Sequence, residues 1–152
     1  MGTFTELFIR FTTRKEYIPM DKVYMDCLRY FLFTQNFDIP KVLPNHPLFT
    51  LEKWYHIGHM NSYYTHPITT RISDFDEVNQ LYNFTLHCSI KGEEVDTIEI
   101  INNFLDFLSP LMDYYTFGIS FIGYYKPEGG TIHLLYVYKD SEGKVKYKIK
   151  KE

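Results

Sequence analysis

The chain reads as an α+β protein, an antiparallel sheet with two helices packed on one face. Three observations lead there. Residues 82–91 alternate, with Tyr82, Phe84, Leu86, Cys88 and Ile90 on one parity and Asn83, Thr85, His87, Ser89 and Lys91 on the other. That period of two marks a half-buried strand, because successive side chains point to opposite faces. After Gly92 the period turns helical, with Ile98, Ile101, Phe104, Leu105, Leu108, Leu111 and Met112 at steps of three and four. The whole chain then orders as strand, helix, one or two strands, strand, helix and three strands, a succession that favours two helices over an antiparallel sheet. The simplest specific version is a ferredoxin-like split βαβ core with a C-terminal hairpin added.

Each element has its own signal. Residues 3–13 alternate so that Leu7, Ile9 and Phe11 form the buried face of a first strand, with Glu6 and Arg10 in water. Residues 14–19 connect to Asp21, an N-cap ahead of the stripe Val23, Tyr24, Cys27, Leu28, Phe31 and Leu32, a helix expected to end near Asn36. Lys22, Asp26, Arg29 and Gln35 make its solvated face. Pro40, Pro44 and Pro47 exclude a helix over residues 38–49 and make it a packed surface loop. Residues 51–57 and 68–72 are candidate strands around an irregular segment, and residues 74–79 form an acidic turn. Asp96 with Glu99 makes a capping-box-like start to the second helix, which Pro110 and Asp113 terminate. Residues 117–125, with Gly118 and Gly123 inside, suit a bulged or closely approached strand. Residues 131–138 and 144–150 flank Asp140, Ser141, Glu142 and Gly143 as a hairpin.

The 152 residues suit one domain spanning 1–152, large enough for a hydrophobic core without disulfide or metal staples. Aromatic residues make up 18% of the chain, with 14 Tyr and 13 Phe, a bias that serves large-residue cores and protein interfaces alike. A net charge of −3 gives no global basic field to attract nucleic acid. Cys27 and Cys88 fall on apolar faces and read as buried free thiols in a reducing cytosol. The N-terminus lacks a signal-peptide pattern, no run approaches membrane-spanning length, and Glu6 stands where a myristoylation signal wants Ser or Thr. A cytoplasmic protein is expected.

Catalytic signatures are wanting. His56-x-x-His59 with His66 is the most metal-like grouping, but two His at that spacing do not converge by geometry alone, and no Cys pair joins them. No serine sits in a Gly-x-Ser-x-Gly context, and Cys88 beside His87 on a strand sends the two side chains to opposite faces. Glu93, Glu94, Asp96 and Glu99 serve a helix start. The expectation is a non-enzymatic protein without metal or cofactor. The sharpest electrostatic feature is the ladder Lys144, Lys146, Lys148 and Lys150, with Lys151 beyond. It suits a phosphate backbone with Tyr136, Tyr138 and Tyr147 as stacking surfaces. It equally suits protection of a terminal strand against unwanted pairing, which the negative net charge favours. Trp54, Tyr55, Tyr63 and Tyr64 in the middle segment, and Tyr114 and Tyr115 after the second helix, would make anchors for a partner protein if exposed.

Residues 62–64, Ser-Tyr-Tyr, and 82–91 resemble short stretches of a family of small uncharacterised proteins encoded by phages and prophages. Glu99, Ile100, Phe104, Leu105 and Pro110 continue the likeness, as do residues 121–125, Glu128 and the strand ending Leu134, Leu135 and Tyr136. It covers the C-terminal half to two-thirds of the chain. Gly129 stands where members often carry a second acid. The resemblance implies a mobile-element accessory protein that binds and inhibits a host protein, most simply a bacterial defence component in the manner of an anti-CRISPR. Asp74, Asp76 and Glu77 would then set complementarity beside the aromatic anchors. A nucleotide or nucleic-acid module using the lysine face, and an immunity protein neutralising a toxin, are the alternatives; self-association is also open.

Overall fold

β1 (Thr3–Arg14) is the strand around which the computed structural model is assembled. The structure describes residues 3–34, 38–58, 69–113 and 119–151. Along one edge β1 pairs antiparallel with β3 (Leu81–Gly92) for its whole length, from Thr3 opposite Gly92 to Arg14 opposite Leu81. Along the other it meets β4 (Ile119–Pro127) only between Thr5 and Ile9. β2 (Thr70–Asp76) flanks β3, and the hairpin β5 (His133–Lys139) and β6 (Val145–Lys151) extends the sheet beyond β4. The resulting order is β2-β3-β1-β4-β5-β6, antiparallel throughout. With α1 (Lys22–Leu32) between β1 and β2 and α2 (Glu94–Leu108) between β3 and β4, the first six elements follow the split βαβ order.

One face of this sheet is the core. Leu7, Ile9 and Phe11 of β1, Phe84, Leu86, Cys88 and Ile90 of β3, and Leu135 and Val137 of β5 are buried against the helices. Phe31 of α1 meets Phe104 of α2 at 4.8 Å between ring centroids and Trp54 at 5.8 Å. Burying one such ring contributes about 1.5–3 kcal/mol, so this aromatic junction is a principal tie between the helices. Both thiols are buried and free. Burial first, then the Asp26 charge, pushes the Cys27 thiol up to about 12; burial likewise pushes Cys88 up to about 11.

Several boundaries differ from the sequence expectation. Residues 51–57 are not a strand: two 3-10 turns, Pro47–Thr50 and Trp54–His56, fold the chain back on itself through bonds three residues apart, such as Trp54 N–H to the Leu51 carbonyl. The strand expected at 68–72 runs from Thr70 to Asp76 and so takes in Asp74 and Asp76, leaving the turn to residues 77–80. α1 stops at Leu32, where the Phe33 N–H bonds back to the Arg29 carbonyl. α2 is preceded by Glu93 at the N-cap, which makes no side-chain cap bond; Asp96 instead lies in the first turn with Glu94, where negative charge still favours the helix dipole.

Arg71 is a structural residue that pattern reading missed. It projects from β2 toward the helices, and its Nε donates to the carbonyls of Tyr30 at 3.0 Å and Phe31 at 3.2 Å, while Nη2 donates to the Gly58 carbonyl. The guanidinium thus satisfies carbonyls at the C-terminal turn of α1, where the helix leaves acceptors without intrahelical donors.

Candidate binding face on the open side of the sheet

The parity opposite the core is covered by neither helix. Register turns that face into rows crossing several strands. Thr70, His87, Phe8, Tyr124, Leu134 and Lys150 stand opposite one another in turn across all six strands. Farther along, Phe121 faces Tyr136, which faces Lys148, and Ile119 faces Tyr138, which faces Lys146. Phe8 and Tyr124 are stacked, with centroids 5.8 Å apart and planes at 21°, and His87 meets the Phe8 ring edge-on at 5.8 Å. Phe121 and Tyr136 lie 5.6 Å apart. Phe121 is 57% exposed and Ile119 54%, values unusual for large apolar side chains and here adjacent.

The lysines belong to this face because β6 alternates. Ile149 and Tyr147 stand opposite Leu135 and Val137 on the core side, so Lys146, Lys148 and Lys150 turn to the open side, and all three are exposed. Successive members are about 6.7 Å apart, twice the rise of a strand residue. Lys146 Nζ lies 3.2 Å from Asp140, whose other oxygen accepts the N–H groups of Glu142 and Lys144 at 2.9 Å each. Those bonds, the Lys144 amide foremost, hold the Asp140 carboxyl below the usual carboxylate range and fix the hairpin that presents the row. Lys144 sits at the hairpin end, 4.0 Å from Glu142. Arg10 and Lys126 add exposed cations on the same side. The acids Asp74 and Asp76 occupy the far edge, on β2; Asp76 caps the turn by accepting from the Val78 and Asn79 amides. The face therefore runs from an acidic edge to a basic edge across an aromatic middle.

One carboxylate stands in that middle. Glu6 Oε2 accepts from His87 Nε2 at 2.7 Å and from the Tyr124 hydroxyl at 3.2 Å. Since a carboxylate only accepts, Nε2 is the protonated nitrogen of His87. Partial burial and then the Glu6 charge raise the Tyr124 phenol above its usual range, keeping it a donor.

The expected site residues are spread over the molecule. Trp54 is 6% exposed and packed among Tyr30, Phe31 and Phe49, because the 3-10 turn tucks it beneath α1; as an exposed partner anchor it drops out. Tyr55 is half-buried and its carbonyl accepts the Tyr30 hydroxyl at 2.6 Å. Glu77 lies in the turn after β2. Tyr147 faces the helices, its hydroxyl donating to Asn102 at 3.3 Å, so it leaves the set of stacking surfaces, whereas Tyr136 and Tyr138 stay beside the lysines. His87 and Cys88 point to opposite faces. Tyr63, Tyr64, Tyr114, Tyr115, His59 and His66 lie outside the described residues. His56 Nδ1 lies 3.0 Å from the Lys91 carbonyl, and no cluster of three metal-ligating side chains occurs among the described residues. No helix is long and apolar enough to cross a membrane.

A groove of about 940 Å3 also opens on the helix side, between the end of α2, His46 and the β5–β6 hairpin. His46, Asp106 and Tyr24 in its lining are engaged with the protein. His46 Nδ1 accepts the Leu48 N–H, which leaves Nε2 as the protonated nitrogen donating to Asp106, both at 3.0 Å. The Tyr24 hydroxyl donates to the Phe107 carbonyl at 3.4 Å. An imidazole held at both ring nitrogens in this way caps the turn at Pro47.

Phe8, Phe121 and Tyr124 were absent from the sequence-level site. Phe4 and Phe8 on the otherwise polar parity of β1 were the available signal, but the alignment of Phe121 with Tyr136 and Lys148 needs the register. Comparisons with family models, curated proteins and solved structures returned no match for this chain.

Proposed function

We propose that the protein is a non-enzymatic binding module that holds single-stranded nucleic acid on the open face of its sheet. The observation that carries this reading is the register that sets the exposed Phe121 and the half-buried rings of Phe8, Tyr124 and Tyr136 beside a row of lysines on the face that neither helix covers. Bases of an unpaired strand would stack on Phe8, Tyr124, Phe121 and Tyr136, and phosphates would run along Lys146, Lys148 and Lys150. Sequence-tolerant stacking beside a basic track is the physics of single-strand binding, and the lysine spacing is of the order of that between successive phosphates of an extended strand. The net charge of −3 does not oppose this, because Asp74 and Asp76 lie at the β2 edge, away from the lysines of β6, and of the carboxylates between them Glu6 is held by His87 and Tyr124. Edge protection and phosphate tracking are compatible uses of the same lysines.

The mobile-element inhibitor implied by the family resemblance is the second reading. Exposed Ile72, Ile119 and Phe121 favour it, since such side chains also suit a protein partner. Fluorescence anisotropy of labelled 12-nucleotide single strands separates the two. Binding is expected for single strands over the matching duplex, weakened roughly tenfold by Phe121→Ala and again by Tyr136→Ala, in line with the loss of one stacked base each. No binding of any strand at low salt, with a host protein captured through the same two side chains, would replace the first reading with the second.

A further inference from the structure

We infer that Glu6 reads a base and selects guanine in the strand held on the open face, an inference that rests on the nucleic-acid reading above. A carboxylate in the middle of a platform for a polyanion needs a reason, because it repels every phosphate near it. Its surroundings supply one. Both protein donors, His87 Nε2 and the Tyr124 hydroxyl, go to the same oxygen, Oε2. Among the described residues Oε1 takes no protein donor, so the carboxylate is oriented on one side and open on the other. Glu6 is two residues from Phe8 on the same face, about 6.7 Å along the strand. A base stacked on the Phe8–Tyr124 pair thus has one edge within reach of Oε1 and the opposite edge toward Arg10.

The chemistry of that oxygen determines which base it favours. It accepts and cannot donate. Guanine is the base whose pairing edge turns two adjacent donors, N1–H and N2–H2, to one side; the other bases set a donor beside an acceptor, which the carboxylate repels. A charged acceptor facing two donors is the stronger arrangement, and a charge-assisted contact to one carboxylate oxygen discriminates by about tenfold. His87 and Tyr124 are positioning residues, acting through the carboxylate they hold.

The test compares a 12-nucleotide uridine strand with the same strand carrying one central guanosine, against the full chain and Glu6→Gln. In the variant the donors of His87 and Tyr124 hold the amide oxygen in place of Oε2, which puts the amide NH2 where Oε1 stood and turns the open acceptor into a donor. The expected result is about tenfold tighter binding of the guanosine strand by the unaltered protein, lost or reversed in Glu6→Gln, while affinity for the uridine strand rises in the variant as the repelling charge is removed. Tyr124→Phe keeps the ring and removes one orienting donor; a partial loss of the guanosine preference is expected, and the unchanged emission of Trp54 checks the fold in both variants. Equal binding of both strands by the unaltered protein would overturn the inference and leave the nucleic-acid reading standing. An equal loss of affinity for both strands in Glu6→Gln would overturn it too, showing a merely structural carboxylate. Failure to bind either strand would remove the nucleic-acid reading and this inference with it.

Discussion

Gly123 sets how closely β4 approaches β1, and Gly123→Ala probes the frame that brings Tyr124 against Phe8. A Cβ at this position would stand 1.9 Å from the Phe8 carbonyl oxygen and 2.9 Å from the Ile9 Cα, where ordinary contact begins at 3.4 Å. β4 would have to retreat by 3.4 − 1.9 = 1.5 Å at its junction with β1. Ladder bonds of about 2.9 Å cannot survive such a shift, and two lost bonds cost about 1 kcal/mol each. Alanine would also have to hold a φ of +152°, a conformation that costs about 1–3 kcal/mol away from glycine. The sum is about 3–5 kcal/mol. With a urea m-value of about 2 kcal/mol/M, the unfolding midpoint should fall by about 1.5–2.5 M. The single Trp54, buried in the core, reports the transition through its emission. A midpoint within about 0.3 M of the unaltered protein would refute the close approach and, with it, the Phe8–Tyr124 platform.

Arg71→Leu should destabilise the fold by about 3 kcal/mol in the same assay, because carbonyls at the end of α1 lose a charged donor inside the protein; Arg71→Lys should restore little, having no planar fork to reach several carbonyls. Cys27 and Cys88, buried and with thiols pushed up to about 12 and about 11, should resist a thiol-reactive disulfide reagent at pH 8 and both react in denaturant; fast labelling of the native protein would contradict their burial. Asp140 has a depressed folded pKa, so its contribution to the hairpin is present at neutral pH and is lost as pH falls through the folded value, below the usual carboxylate range. Amide exchange in β5 and β6 should quicken there, and Asp140→Asn should remove that acid limb.

The fold was legible to the extent that periodicity reports burial. The alternation of Tyr82 to Ile90 and the stripe of α2 located β3 and its helix because each has one wet side and one dry side. Residues 51–57 misled because a seven-residue apolar stretch is too short to separate the period of two of a strand from the three-residue recurrence of Leu51, Trp54 and Ile57 that a 3-10 turn dictates. The candidate face was legible only in pieces. The lysines of β6 declare themselves by alternation, yet their neighbours Tyr136, Phe121 and Phe8 come from strands far apart in the chain. Which of Tyr136, Tyr138 and Tyr147 sits beside lysine depends on the pairing of β5 with β6, and that puts Tyr147 on the core side. Trp54 shows the converse limit, since an aromatic residue in an irregular segment carries no signal of whether it is covered.

The salt dependence of single-strand binding tests the central claim most directly. If Lys146, Lys148 and Lys150 each neutralise one phosphate, the slope of log K against log salt has a contribution of about −2 from these three, at about −0.7 per contact. Replacing all three with glutamine should make the slope shallower by about 2 while lowering the urea midpoint by no more than about 0.5 M, the loss of the exposed Lys146–Asp140 pair. The same slope before and after replacement, or no single-strand binding at low salt, would contradict a phosphate track on β6.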